Sequence, residues 1–103
     1  MSDDAPQAGT GVPAGAISKE LLIINKRGLH ARASAKFVQA VERFNAQVWV
    51  TRGGETVGGT SIMGLMMLGA AMGDTITISA DGDGAETAVG ALCELVEAKF
   101  GED

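Results

Sequence analysis

The chain has 103 residues, enough for one domain of ordinary size but too few for two, and a formal net charge of -5 at pH 7. After Ser61 a single basic residue, Lys99, stands against eight acidic residues, so this portion would repel DNA and RNA, and no nucleic-acid partner is expected.

A lone cysteine, Cys93, excludes an internal disulfide and suits a reducing cytosol; we expect it to be a small core residue within a helix. With one histidine and no cysteine pair the usual zinc spacings are absent, and neither a metal nor a cofactor is expected.

Residues 1–16 differ in composition from the rest of the chain. They hold both prolines and no large apolar residue except Met1 and Val12, a composition that does not support a packed structure. We therefore predict a disordered N-terminal tail, a single domain over residues 17–101 and an acidic C-terminal end at 102–103. The tail begins with acidic residues and lacks a continuous apolar run, unlike a signal peptide, and no other stretch is long and apolar enough to cross a bilayer.

The pattern after the tail predicts four strands and three helices. Strands are indicated by β-branched or alternating apolar residues, and helices by apolar residues at three- and four-residue spacing. The strands are predicted over residues 17–24, 46–51, 56–60 and 74–80, and the helices over residues 31–44, 62–68 and 85–100. The order β-α-β-β-α-β-α predicts an α/β (α+β) fold, an open-faced two-layer sandwich in which three helices cover one face of a four-stranded antiparallel sheet.

The only histidine falls at the start of the first predicted helix. His30 occupies the N-cap position, so the first backbone N–H groups of the helix, those of Ala31, Arg32 and Ala33, lack intrahelical partners and favour an anion at the positive end of the helix dipole. Histidine is a poor cap compared with serine, threonine, aspartate or asparagine, which suggests a chemical role. Near neutral pH one ring nitrogen holds a lone pair that can attack phosphorus and form a covalent intermediate. The Arg32 side chain would add further donors to the phosphoryl group.

Basic residues are concentrated around this histidine although the chain as a whole is acidic. Four of the eight lysines and arginines lie within six positions of it: Lys26, Arg27, Arg32 and Lys36. Two plainer interpretations remain open, an ordinary surface or packed histidine and a helix start that binds a free anion without covalent chemistry. An enzyme with its own turnover is disfavoured, because no second general acid or base lies near His30 in the sequence.

The short second helix is apolar nearly all round. Ser61 is placed to be its N-cap. One face is expected to fill the core, with Ile62, Leu65 and Leu68. Met63 and Met66 are then left exposed, and because methionines adapt to differently shaped partners we interpret them as a docking patch, the alternative being filler in a small core. A phosphate on Ser61 would be tolerated at a helix start and would place about two negative charges beside this patch.

Two motifs carry a family resemblance. They are Asn25-Lys26-Arg27-Gly28-Leu29-His30-Ala31-Arg32 and Ser61-Ile62-Met63-Gly64-Leu65-Met66-Met67-Leu68-Gly69-Ala70. Over about residues 17–100 the chain resembles the HPr family, the histidine-containing phosphocarrier proteins of the bacterial phosphoenolpyruvate-dependent phosphotransferase system. The resemblance implies that His30 accepts a phosphoryl group on Nδ1 from enzyme I and gives it to an enzyme II A component. It also implies that Arg32 assists the transfer and that Ser61 matches the position modified by HPr kinase/phosphorylase in some bacteria.

Ala33 departs from the family pattern, which usually has proline after the arginine. Alanine restores an N–H group in the first helical turn, where it can join the anion site. Two roles stay open, support of sugar uptake and a nitrogen-type regulatory relay that controls other proteins through its phosphorylation state. We expect a monomeric cytoplasmic phosphoryl carrier, itself a substrate of larger enzymes. Lys26 and Arg27 would join Met63 and Met66 as docking residues for those enzymes.

Overall fold

The computed structural model describes residues 11–102, which form four strands and three helices. The elements are β1 (Ile17–Leu22), α1 (Ala31–Val41), β2 (Gln47–Arg52), β3 (Glu55–Gly58), α2 (Ile62–Met67), β4 (Thr75–Asp81) and α3 (Ala85–Glu97), followed by a single turn, Lys99–Gly101. This confirms the predicted order of elements. Residues 11–16 contain no helix or strand, and the rest of the predicted tail lies outside the described residues.

The strands form one antiparallel sheet in the order β1-β4-β2-β3. Because side chains alternate between the two faces of a strand, Ile78 and Val50, which lie opposite each other, are both buried under the helices. On the other face Trp49 lies between Ser79 and Gly58 and is half-buried. The predicted open-faced sandwich is therefore confirmed.

Both long helices end earlier than predicted. After Val41 the N–H groups of Arg43 and Phe44 bond three residues back rather than four, which closes α1 while the Phe44 side chain still packs against the core. After Glu97 the backbone turns left-handed, yet Phe100 remains fully buried. In both cases a core side chain just beyond the helix continues the apolar periodicity, and the sequence pattern overestimates the helix length.

Two core predictions need correction. Ile62 was expected on the buried face of the second helix but is 41% exposed, because it is the first residue of a six-residue helix and burial begins one turn later, at Leu65 and Leu68. Cys93 does lie within a helix, but it is only half-buried and packs at the margin of the core. Partial desolvation raises the pKa of the Cys93 thiol above its ordinary value.

Candidate functional site

His30 is the N-cap of α1, as predicted. Its backbone is extended (φ -75°, ψ -178°), and its Nδ1 atom accepts a hydrogen bond from the backbone N–H of Arg32 at 3.3 Å. The side chain is 15% exposed, so most of the ring is covered by protein while part of it remains accessible. The imidazole thus presents Nδ1 to the amides at the positive end of the helix.

The loop between β1 and α1 fixes the position of the histidine. The Nδ2 atom of Asn25 donates to the carbonyl of Gly28 at 2.9 Å, and Asn25 is fully buried. The N–H of Leu29, whose side chain is buried in the core, donates to the carbonyl of Ala70 at 3.0 Å. Gly28 adopts φ +62°, a conformation that glycine accepts readily, and comes close to the backbone after α2. The residue before the N-cap is therefore anchored to a second segment.

Arg52 and Asp74 hold this second segment, the loop after α2, in place. Arg52 donates from Nη1 to the carbonyl of Leu68 at 3.1 Å, and its Nη2 lies 3.1 Å from Oδ2 of Asp74. The same carboxylate oxygen accepts the N–H of Ala71 at 2.8 Å. The hydrogen bond from Ala71, with a smaller contribution from Arg52, holds the pKa of Asp74 below its usual value. The loop that supports the histidine is thus tied to the sheet through Arg52 in β2.

Glu102 is the residue that sequence reasoning missed. One oxygen of its carboxylate contacts Nε2 of His30, and the other accepts from Nδ2 of Asn25 at 3.1 Å. The hydrogen bonds from His30 and Asn25, together with the positive charge of Arg27, hold the pKa of the Glu102 carboxyl below its usual value. Glu102 lies 72 positions from the histidine, so motif spacing does not reveal it. The available signal was Gly101, since a glycine just after a helix often marks a left-handed turn that redirects the chain.

The predicted basic residues take different positions. Lys26, Arg27 and Arg32 are exposed, and within the described part of the chain the guanidinium of Arg32 makes no hydrogen bond or ion pair. Lys36 instead donates from Nζ to the carbonyl of Phe100 at 2.7 Å and fixes the C-terminal turn. Arg32 therefore remains available to bind an anion beside His30.

Ser61 and the two methionines form a separate region on α2. The hydroxyl oxygen of Ser61 accepts the N–H of Gly64 at 2.9 Å, which confirms the N-cap. Met63 and Met66 are 68% and 41% exposed, which excludes their use as core filler. Between residues 11 and 102, no hydrogen bond joins Ser61 to His30; the two regions are connected through the packing of α2 on α1 and through the loop after α2.

Across the described residues no group of three or more histidine, cysteine, aspartate or glutamate side chains is arranged to hold a metal ion. In the same range no helix has the length and apolar character needed to cross a membrane.

A family model described as the phosphorylation site of the HPr component of the phosphotransferase system matches residues 17–98. The chain belongs to the HPr family. This confirms the resemblance drawn from the two motifs, and it makes the chain a phosphocarrier protein of the phosphotransferase system rather than a catalyst.

Individual HPr proteins are similar over nearly their whole length. The phosphocarrier protein HPr of Neisseria meningitidis serogroup A is 49% identical over 86 residues, which cover 84% of this chain and 97% of that protein. The phosphocarrier protein NPr of Shewanella violacea is 40% identical over 86 residues, covering 84% of this chain and 94% of that protein. The crystal structure of HPr-C-His from Thermoanaerobacter tengcongensis superposes with a TM-score of 0.81 at 45% identity, covering 84% of this chain and 98% of the other.

Proposed function

We propose that this protein carries a phosphoryl group on Nδ1 of His30 in the bacterial cytoplasm, taking it from phosphoenolpyruvate-charged enzyme I and giving it to an enzyme II A component. The observation that supports this most directly is the placement of Nδ1 against the first amides of α1, next to an arginine without a partner in the described part of the chain. A nucleophile in that place meets the incoming phosphorus where its oxygens can be bound.

The start of α1 supplies the donors for those oxygens. The first N–H to make an intrahelical bond is that of Ser34, which donates to the carbonyl of His30 at 2.9 Å. The N–H groups of Ala31, Arg32 and Ala33 precede it and make no intrahelical bond. That of Arg32 donates to Nδ1 of His30 and is released when Nδ1 bonds to phosphorus, so all three can then bind phosphoryl oxygens. Ala33 contributes an N–H that proline at this position would lack. The guanidinium of Arg32 adds a mobile positive charge.

The proposal is tested by mapping a covalent label. The purified protein, incubated with phosphoenolpyruvate and enzyme I, should gain the mass of one phosphoryl group, and acid should remove it. Fragmentation should place the group on His30. A chain that binds phosphate reversibly but gains no covalent mass would instead be a non-covalent anion-binding domain, and the proposal would fail.

A nitrogen-type regulatory relay is the alternative, favoured by the similarity to NPr of Shewanella violacea. Both roles use the same chemistry at His30 and differ in the proteins that receive the phosphoryl group. Expression of this chain in a bacterium that lacks its own HPr distinguishes them. Restored sugar uptake supports the transport role, whereas a phosphorylated chain without restored uptake supports the regulatory one.

We also propose that Met63 and Met66, together with Lys26 and Arg27, form the surface that docks enzyme I and the enzyme II A component. Exchange of Met63 for glutamate is expected to weaken binding of enzyme I about tenfold or more, because it places a charge in an apolar contact. Stability should change by only about 0.5 kcal/mol, since the Met63 side chain is 68% exposed. Isothermal titration with enzyme I and urea unfolding measure the two quantities.

Leu22 provides the matched control for this experiment. It is 54% exposed on β1 and lies outside the proposed docking surface. Leu22→Glu should leave the affinity for enzyme I unchanged. Equal losses of affinity in the two variants would argue against a specific role for Met63.

Ser61 has two roles in the proposal, as the cap of α2 and as the site modified by HPr kinase/phosphorylase. Ser61→Ala is expected to cost about 1 kcal/mol of stability, because the N–H of Gly64 loses its acceptor. Ser61→Asp keeps an acceptor at the cap, so it should retain stability while its charge beside the methionines weakens docking. Urea unfolding and the enzyme I titration check both results, with exposed Thr60→Ala as control. Tight docking by Ser61→Asp would contradict the regulatory role.

A further inference from the structure

The chain leaves α3 through an unusual turn. Lys99, Phe100 and Gly101 have φ values of +58°, +57° and +79°, so three successive residues lie in the left-handed region. Only glycine adopts this region without steric cost, and two of the three residues carry side chains. Such a conformation persists only where the surroundings hold it in place.

Two contacts hold this turn. The Phe100 side chain is fully buried in the core, and its carbonyl accepts a hydrogen bond from Nζ of Lys36 at 2.7 Å. Lys36 belongs to α1, the helix whose N-cap is His30. The turn is therefore anchored to the same helix that carries the candidate phosphoryl site, and it directs the next residue, Glu102, back across that site.

The Glu102 carboxylate determines which ring nitrogen holds the proton. It contacts Nε2 of His30, and its other oxygen accepts from Asn25, which is fully buried and also bonded to the carbonyl of Gly28. A carboxylate only accepts hydrogen bonds, so Nε2 must be the donor. In a neutral ring the lone pair then lies on Nδ1, the atom that faces the Arg32 amide.

We propose that Glu102 is a positioning residue for phosphoryl transfer at His30, holding the ring with Nε2 as donor and stabilising the positive charge that the ring gains when Nδ1 bonds to phosphorus. This inference rests on the proposed function of His30. The arrangement is similar in principle to the aspartate of a serine-histidine-aspartate triad, which orients an imidazole and stabilises its cationic form.

The transfer step balances without movement of a proton. The Nδ1 lone pair forms the bond to phosphorus while the bond between phosphorus and the donor breaks and its electron pair leaves with the donor. The ring keeps its proton on Nε2 and becomes an imidazolium. On onward transfer the electron pair of the Nδ1–P bond returns to Nδ1, which restores the neutral ring. Bond formation thus places a positive charge on the ring, and among the described residues Glu102 is the acidic side chain in contact with it.

A pH dependence follows from this step. If the phosphorylated ring loses its Nε2 proton, Nδ1 becomes a poorer leaving group and transfer slows. The Glu102 carboxylate opposes that loss. Among residues 11–102, Glu102 contacts the ring, Arg32 begins α1 beside it, and Arg27 in the preceding loop acts on the Glu102 carboxyl. Positive charges favour loss of the Nε2 proton, whereas the carboxylate opposes it. Removing the charge of Glu102 leaves the arginines unopposed.

Glu102→Gln is the test, with Glu97→Gln as a matched control that removes the same charge from an exposed position on α3. Phosphoramidate serves as a small phosphoryl donor and water as the acceptor, so that no partner protein is needed. Glu102→Gln is expected to slow phosphorylation about tenfold, the effect of losing one charge-assisted hydrogen bond. Loss of the phosphoryl group to water should slow as the pH rises. In Glu102→Gln this decline should begin about one pH unit lower than in the unsubstituted protein. Glu102→Asp, which keeps the charge, should recover part of both effects.

A third readout separates positioning from a merely structural role. Isotope-edited NMR of the folded protein should show a proton on Nε2 of His30 that exchanges slowly with water, and this protection should be lost in Glu102→Gln but not in Glu97→Gln. If Glu102→Gln and Glu97→Gln have the same rates and pH profiles, the inference is overturned. If the unsubstituted protein takes no label at His30, the proposed function itself fails.

Discussion

Replacement of His30 by alanine is expected to abolish phosphoryl labelling from phosphoenolpyruvate and enzyme I. His30 is the only histidine, so no second imidazole can take over. The amides of α1 and the Arg32 guanidinium would remain, but they can only bind an anion and cannot form a covalent bond to it. Labelling is measured by intact mass after incubation, and a persistent acid-labile phosphoryl group would reject His30 as the acceptor.

His30→Asn controls for loss of the helix cap. Asparagine is among the best N-cap residues, so this variant should keep the acceptor for the Arg32 amide and retain or improve the stability of the domain. It lacks a nitrogen with an available lone pair. Loss of labelling in both variants, with unchanged urea unfolding of His30→Asn, would assign the effect to chemistry rather than to unfolding.

Gly28→Ala is expected to cause the largest loss of stability among simple substitutions in the site. A Cβ atom on Gly28 would lie 2.3 Å from the carbonyl oxygen of Ala70 and 2.8 Å from Cα of Ala71, both backbone atoms. Alanine at φ +62° would also be strained. Since the loop must move away and lose the hydrogen bond between Leu29 and Ala70, we expect a cost of about 3 kcal/mol or more, measured by urea unfolding.

Gly69→Ala isolates the steric part of that cost. Gly69 has φ +66°, almost the same conformation, but no atom lies within 4 Å of the position its Cβ would take. Its substitution should therefore cost only the strain of a left-handed alanine, about 1–2 kcal/mol. If the two variants were equally destabilised, close packing of the histidine loop against the segment after α2 would not be a major source of stability.

The features that sequence reasoning predicted are those that depend on local patterns. The alternation around Ile76 and Ile78 places a strand, and the change to three- and four-residue spacing after His30 places a helix, because both patterns reflect which side chains face the core. The caps at His30 and Ser61 were also accessible, since a cap contacts only the next few residues.

The features that it missed depend on contacts between distant parts of the chain. Glu102 reaches His30 only because Lys99 and Phe100 adopt left-handed conformations, and no helix propensity or periodicity predicts that. The exposure of Ile62 depends on where a short helix meets the rest of the protein. The histidine motif was therefore readable from its own residues, whereas the carboxylate that completes the site was not.

Trp49 has a practical consequence for these measurements. It is the only tryptophan, and it is half-buried in β2 on the solvent-facing side of the sheet, opposite Ser79 and Gly58. Its indole emission should therefore report on the integrity of the sheet and respond little to events at the imidazole on the helical layer. Fluorescence can follow denaturation of each variant in the same cuvette that is sampled for phosphohistidine, without an extrinsic dye.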